Sequence, residues 1–316
     1  MLFRRFIVFS ALVCFSYLNP AQSVIYGSDD IREVNDVPQG RLAKSIAIAV
    51  PNLFIEPNAD GTLKMVDVIP MEGYLCQDER FTNQVSIGNC TGFLVSDRHL
   101  VTAGHCLIPT GEVNDEYHPF CEAFSWYFDF RQPKAGATHI NRVPADRVYK
   151  CKRVVRAVNV DQIIDENGMK YTGADYAIIE LDRPVAPDLK PLKIAKTPAK
   201  VGDTVFTIGY PLGLPAKFSG MSRVVRNDLK KEYFESYLDT FSGNSGGPVL
   251  NSRYEVVGIL VGGHSVDFAS DAKECKRLNR CDNTGKNCTE ESRWPDLPVT
   301  SLIQRIETVK AHIPAN

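Results

Sequence analysis

An all-β fold is predicted for this 316-residue chain by three observations. From about Ser45 onward the apolar residues fall in short runs of strand length. Those runs are rich in Val, Ile, Phe and Tyr, and Gly, Pro, Asn and Asp separate them. In chain order they read "SIAIAV", "TGFLVS", "HLVTA", "FSWYFDF", "YAIIEL", "TVFTIGY", "PVLN" and "EVVGILVGG". Many short strands with few helical signals predict a sandwich or a barrel.

The N-terminus has its own character. "MLFRRFIVFSALVCFSYLNPAQS" places two arginines before an apolar run from Phe6 to Leu18, followed by Pro20, Ala21 and Ser23. This is the layout of a cleavable export signal over residues 1–23, with the mature chain at 24–316. The apolar run is shorter than the roughly 20 residues a membrane span needs. Val13 ahead of Cys14 is not the small residue a lipoprotein signal uses, so no membrane association is expected once the signal is gone. Eight cysteines then remain: Cys76, Cys90, Cys106, Cys121, Cys151, Cys275, Cys281 and Cys288. An even set in an exported chain predicts disulfides and an oxidising compartment, secreted or periplasmic. A formal charge of −2 carries no electrostatic footprint for nucleic acid.

The 44% hydrophobic content can bury one large core or two smaller ones. Three prolines interrupt the strand pattern in "LDRPVAPDLKPLKIAK", between Leu181 and Lys196, so a midpoint boundary is expected there. Residues 264–293 are polar, hold three cysteines and lack a strand pattern, which reads as a disulfide-tied surface insertion. In "PVTSLIQRIETVKAHIP", Leu302, Ile303, Ile306 and Val309 recur at helical spacing with Thr300 or Ser301 as cap, predicting a C-terminal helix over about 300–312. No internal repeat is visible.

Chemistry concentrates in "FSGNSGGPVL", where Gly243, Gly246 and Gly247 surround Ser245. Such a backbone turns tightly and approaches something closely. A serine hydroxyl is a poor nucleophile until a base takes its proton. Of the six histidines, His105 has a distinctive setting, "CTGFLVSDRHLVTAGHC", between Cys90 and Cys106. A bridge between those cysteines closes a loop of about 16 residues, worth about 3 kcal/mol in the chain-entropy treatment, and fixes the histidine's loop. The base needs an orienting acid, and Asp175 stands at the head of the apolar strand in "TGADYAIIEL". His105, Asp175, Ser245 is the chain order of one known triad lineage.

"LVTAGHC", "DYAIIEL" and "GNSGGPV" resemble the three signature segments of chymotrypsin-like serine proteases, over residues 90–250. The resemblance implies two six-stranded antiparallel barrels, about 42–183 and 190–300, with the site between them. It implies that Ser245 is the nucleophile, His105 the general base and acid, and Asp175 its orienting partner. The backbone N–H groups of Gly243 and Ser245 would form the oxyanion hole, a polypeptide would be the substrate, and no metal or other cofactor is expected. Of the bridges, Cys90–Cys106 is expected first and Cys121–Cys151 second; the remaining pairing is open.

Departures from the family pattern bear on detail. Asn244 stands where the digestive enzymes carry an aspartate that pairs with the amine freed on activation, so the hole is expected to form without that ion pair. "GNSGGP" looks more like the glutamyl-endopeptidase and Deg-type branches. Asp239, six residues before Ser245, occupies the place of the aspartate that binds Arg or Lys in trypsin-like enzymes. "GILVGG" lacks the histidine of the glutamyl enzymes' "GIHWGG", and His264 nearby reads as a surface residue or a rim contact. Val261, Gly262 and Gly263 are expected to pair with an extended substrate.

Three other readings differ in class. A non-catalytic binding homologue would keep the fold without using the triad. "GNSGG" also fits the nucleophile elbow of α/β-hydrolases, but the segments after Ser245 are strand-like and only His264 and His312 follow it. A zinc site from Cys275, Cys281, Cys288 and His264 has wider spacings than paired metal ligands use. Asn89 and Asn287 each begin an Asn-Cys-Thr sequon, relevant only in a glycosylating host.

Overall fold

The structure, a computed structural model, describes residues 24–132, 140–160, 163–164, 170–171, 173–270, 274–290 and 299–314. The expected export signal, residues 1–23, lies outside them. The predicted strand runs form a closed ring in each half. In the first, β1 (Ile46–Pro51), β2 (Cys90–Leu94), β3 (His99–Thr102), β4 (Phe124–Phe128), β5 (Val148–Asn159) and β6 (Asp175–Leu181) pair antiparallel in the order β1-β2-β3-β6-β5-β4, and β4 returns to β1. In the second, β7 (Thr204–Gly209), β8 (Ser222–Arg226), β9 (Tyr233–Ser236), β10 (Pro248–Asn251), β11 (Glu255–Gly263) and β12 (Ser301–Arg305) pair as β7-β8-β9-β12-β11-β10 and close through β10 to β7. The two connectivities are the same, a structural repeat that no sequence periodicity announces. Closure pairs each ring strand with two neighbours, while Gly111–Glu116 joins β5 outside the first ring as an edge strand.

Each barrel fills its interior with the strands' apolar residues. Trp126, Phe93 and Tyr149 are fully buried in the first, and truncating such a side chain typically costs about 3–5 kcal/mol. Val205, Phe234, Val249 and Ile303 occupy the core of the second. The barrels are joined by polar contacts as well as packing: Tyr210 donates its hydroxyl to the Ile46 carbonyl at 2.9 Å, and Leu192 N–H reaches the Leu94 carbonyl at 2.9 Å.

Two elements differ from expectation. The C-terminal helix is confined to Ile306–Lys310, because Ser301–Arg305 instead supplies β12. This strand is buried along its whole length between β9 and β11, so alternation is absent and its apolar residues mimic a helical face. The second barrel therefore extends to Arg305. Residues 264–293 are more than a surface insertion: Asn279 is fully buried, Arg280–Cys281 pairs with Ile25–Tyr26, and Arg277–Leu278 pairs with Phe268–Ala269.

Four disulfides are present: Cys90–Cys106, Cys121–Cys151, Cys76–Cys275 and Cys281–Cys288. The first two match the expected pairs. All three cysteines of the alternative zinc set are thereby oxidised, which removes the thiolates a metal needs.

Candidate active site

The loop from Phe241 to Gly247 carries Ser245 between β9 and β10. Its shape needs glycine twice. Gly243 has φ +94°, and a Cβ there would lie 2.4 Å from the Tyr210 carbonyl oxygen. Gly246 has φ +86°, with a Cβ position 2.1 Å from both the Thr91 carbonyl and Thr102 Oγ1. Non-glycine residues rarely take this backbone, and neither position has room for a side chain. The loop is fastened internally by Asn244 N–H to the Phe241 carbonyl at 3.0 Å and Gly247 N–H to the Asn244 carbonyl at 2.8 Å. Gly246 N–H reaches the Leu260 carbonyl on β11 at 2.7 Å. Among the described residues, the N–H groups of Gly243 and Ser245 have no protein acceptor. These two are the expected oxyanion donors.

Thr91, which the sequence reading missed, ties this loop to the first barrel. Its N–H donates to the Ser245 carbonyl at 2.8 Å, its hydroxyl donates to the Gly243 carbonyl at 2.7 Å, and the same oxygen accepts Tyr210 N–H at 3.1 Å. Both carbonyls are thus turned toward the first barrel. Its position directly after Cys90 was the available signal.

His105 sits in a short 3-10 turn, Gly104–Cys106, immediately after β3. The Cys90–Cys106 bridge brackets it, and Cys106 Sγ lies 3.8 Å from the Ser245 carbonyl oxygen, so histidine and serine loops meet there. Asp175, the first residue of β6, is 1% exposed. One carboxylate oxygen accepts His105 N–H at 3.0 Å and the other faces Nδ1 at 2.6 Å. A carboxylate acceptor assigns the ring proton to Nδ1 and leaves Nε2 of the neutral ring without one. Burial pushes the His105 imidazole down, but the charge and hydrogen bond of Asp175 outweigh it and hold the ring above its ordinary value. Asp175 is itself positioned from the second barrel, since its N–H donates to Gln304 Oε1 on β12 at 2.9 Å. Nothing in the local sequence marked Gln304.

Asp239 is placed otherwise than a substrate-binding aspartate requires. It is 5% exposed, and its two carboxylate oxygens accept Tyr26 N–H at 2.8 Å and Asp30 N–H at 3.2 Å. The aspartate fastens the N-terminal segment, whose Val24 and Ile25 are fully buried, instead of opening onto a cleft. Burial, reinforced by Asp29 and Asp30, pushes its carboxyl up to about 7 even though the two N–H bonds oppose this. A carboxyl raised in the folded state stabilises below its unfolded pKa near 3.8, and that contribution is lost as pH rises through about 7. Denaturant unfolding of Asp239→Asn beside the parent at pH 4 and pH 8 should show a parent stability loss, at most about 4 kcal/mol, that the variant lacks. Equal slopes in both proteins would contradict the assignment.

Val261–Gly263 end β11 with one edge free: β10 pairs with β11 only as far as Ile259, whereas β12 continues opposite Gly262 and Gly263. Nothing lies within 4 Å of a Cβ built on Gly262, so the backbone there is open to approach. His264 is buried, contrary to the surface reading. Its Nδ1 meets Thr300 Oγ1 at 3.0 Å, and burial lowers its ring to about 4, so it is neutral at physiological pH.

A family model described as a trypsin-like peptidase domain matches residues 90–259. A probable periplasmic serine endoprotease, DegP-like, from Buchnera aphidicola subsp. Schizaphis graminum is 31% identical over 134 residues, covering 37% of this chain. The chain spans only 28% of that relative's length. Among solved structures, a Glu endopeptidase in complex with MPD aligns with a TM-score of 0.47 at 16% identity, over 91% of this chain and 98% of that one. The Rv3671c protease in an inactive form aligns with a TM-score of 0.40 at 15% identity, over 89% of this chain and 92% of that one.

Proposed function

Since the chain belongs to the trypsin-like serine peptidase family, we propose that it is an exported serine endopeptidase working through Ser245, His105 and Asp175. The observation that supports this best is the bond from Asp175 to His105 Nδ1, which prepares Nε2 as base beside a loop with two free N–H donors. In this reading Ser245 Oγ attacks the scissile carbonyl as His105 Nε2 takes its proton. The Gly243 and Ser245 N–H groups receive the oxyanion, which develops only on the way to the tetrahedral intermediate and so lowers the barrier rather than merely tightening binding. Protonated His105, stabilised by buried Asp175, then gives its proton to the leaving amine, and water releases the acyl group by the reverse sequence.

The substrate polypeptide would lie extended along the free edge of Val261–Gly263. Preference for Arg or Lys through Asp239 is not part of this proposal, because both of its oxygens are engaged by the N-terminal segment. Export is supported by the N-terminal layout and by four disulfides, which persist in oxidising compartments. Among the described residues no helix is long and apolar enough to cross a membrane.

Incubating the disulfide-complete protein with a mixed peptide library, beside Ser245→Ala, tests the reading. Cleavage in the parent that is absent from the variant is expected. A folded parent that cleaves nothing, or a variant that cleaves equally well, would favour the non-catalytic binding homologue.

A further inference from the structure

Oxyanion donors work only if their peptides face the right way, and in a planar trans peptide the N–H points opposite to the carbonyl. The direction of Gly243 N–H is therefore set by what holds the Ser242 carbonyl, and that of Ser245 N–H by what holds the Asn244 carbonyl. The second is settled inside the loop, where Gly247 N–H donates to the Asn244 carbonyl at 2.8 Å. The first is settled from outside it: Leu212 N–H donates to the Ser242 carbonyl at 2.5 Å. Asn244 is neutral and supplies no ion pair to fix this part of the loop.

Leu212 belongs to a tight turn, Tyr210–Gly213, that follows β7. Pro211 at the second position, a left-handed residue at the third and the bond from Gly213 N–H to the Tyr210 carbonyl at 3.0 Å describe a type II turn. Its third position ordinarily takes glycine or asparagine, yet here a leucine holds φ +55°. Such backbone persists only where its surroundings over-determine it, and it gathers at functional sites. The surroundings come largely from the first barrel. Tyr210 N–H donates to Thr91 Oγ1 on β2 at 3.1 Å, its hydroxyl donates to the Ile46 carbonyl on β1 at 2.9 Å, and Ile87 N–H reaches the Gly213 carbonyl at 3.1 Å. The Leu212 side chain packs against the buried cluster of Ile25, Ile31, Met71 and Phe241. Asp267 accepts Ser242 N–H at 3.2 Å, so both backbone polar groups of Ser242 are fastened.

We infer that Leu212 is a positioning residue for the oxyanion hole: its N–H holds the Ser242–Gly243 peptide in the orientation that turns Gly243 N–H toward the developing oxyanion, a role that rests on the serine-peptidase reading. Without this bond the peptide is free to turn over. Gly243 then presents no donor to the oxyanion, and Ser245 N–H is left to act alone. Leu212 works through Gly243 and not on the reacting carbonyl.

Leu212→Pro removes the N–H and, with φ fixed near −65°, cannot take the left-handed conformation. Replacing Leu212 by its α-hydroxy acid, which leaves an ester after Pro211, removes the N–H alone and covers a proline variant that fails to fold. Leu212→Gly keeps the N–H and the left-handed conformation. On a single peptide substrate, kcat of the proline and ester variants should fall at least about tenfold, up to the roughly 10²–10³ of a lost donor, while KM changes far less. Affinity for a peptide boronate, whose tetrahedral adduct needs the hole, should fall in parallel. The glycine variant should keep most of the parental kcat. An ester variant with parental kcat, a loss confined to KM, or a glycine variant as impaired as the ester overturns the positioning role and leaves the peptidase reading standing. A folded parent that neither cleaves nor takes a serine-directed phosphonate overturns the peptidase reading. Crystal structures of the parent and the ester variant then decide the orientation, and a Ser242–Gly243 peptide unmoved by loss of the Leu212 N–H overturns the role.

Discussion

Replacing Asp175 by asparagine should lower kcat by about four orders of magnitude near neutral pH, with the fold retained. Asparagine keeps an oxygen able to accept His105 N–H, the bond that sets the loop at 3.0 Å. Its amide, however, presents N–H groups to Nδ1, where the carboxylate oxygen now lies at 2.6 Å. The ring must then carry its proton on Nε2, and the nitrogen proposed as the base becomes a donor instead. The imidazolium formed later also loses its buried counter-charge. The pH profile separates this from a packing defect. Activity needs neutral His105, so in the parent it rises with pH through an inflection above the ordinary imidazole value, because Asp175 raises the ring. In Asp175→Asn the raising causes are gone and burial alone remains, so the inflection should move to lower pH as the plateau falls. An unmoved inflection, or a loss of tenfold or less, would contradict the role.

The second large effect is expected at Gly243. Substituting alanine puts a methyl group 2.4 Å from the Tyr210 carbonyl oxygen and within 3.1 Å of Leu212 N. It also asks an L-residue to hold φ +94°, at a cost of about 1–2 kcal/mol. The loop relieves both by rotating the peptide that presents the Gly243 N–H. Losing one oxyanion donor typically costs about 10²–10³ in kcat. Since the donor acts on charge that appears only in the transition state, KM should change far less than kcat. Kinetics on a single peptide substrate, with the denaturation midpoint measured in parallel, read both consequences. A variant with parental kcat would show that Gly243 N–H does not serve the oxyanion.

The proposed triad can be read from the sequence because each member lies in a local segment whose residues suffice to suggest it: the cysteine-bracketed loop of His105, the strand head at Asp175, and the glycines around Ser245. What holds those segments together was not. Thr91 and Gln304 act across the barrel interface, on Gly243 and Asp175 respectively, and no local pattern reports a partner 152 or 129 residues away. Asp239 shows the converse error. Its offset from Ser245 suited a specificity residue, but what occupies a carboxylate depends on chain arriving from elsewhere, here Tyr26 and Asp30. The bridge from Cys76 to Cys275 was equally hidden, since eight cysteines allow 105 connectivities and sequence does not rank them. At β12 the failure was one of periodicity. A strand covered on both faces loses its alternation, so Leu302, Ile303 and Ile306 read as a helical stripe although only Ile306 onward is helical.

The central claim is that Ser245 is a nucleophile activated by His105, and covalent titration tests it most directly. The disulfide-complete protein is treated with a serine-reactive phosphonate, digested and mapped by mass spectrometry, alongside His105→Ala and Ser245→Ala. One adduct per molecule on the peptide containing Ser245 is expected, strongly slowed in His105→Ala and absent in Ser245→Ala. No adduct on the folded parent, or an equal rate without His105, would contradict it.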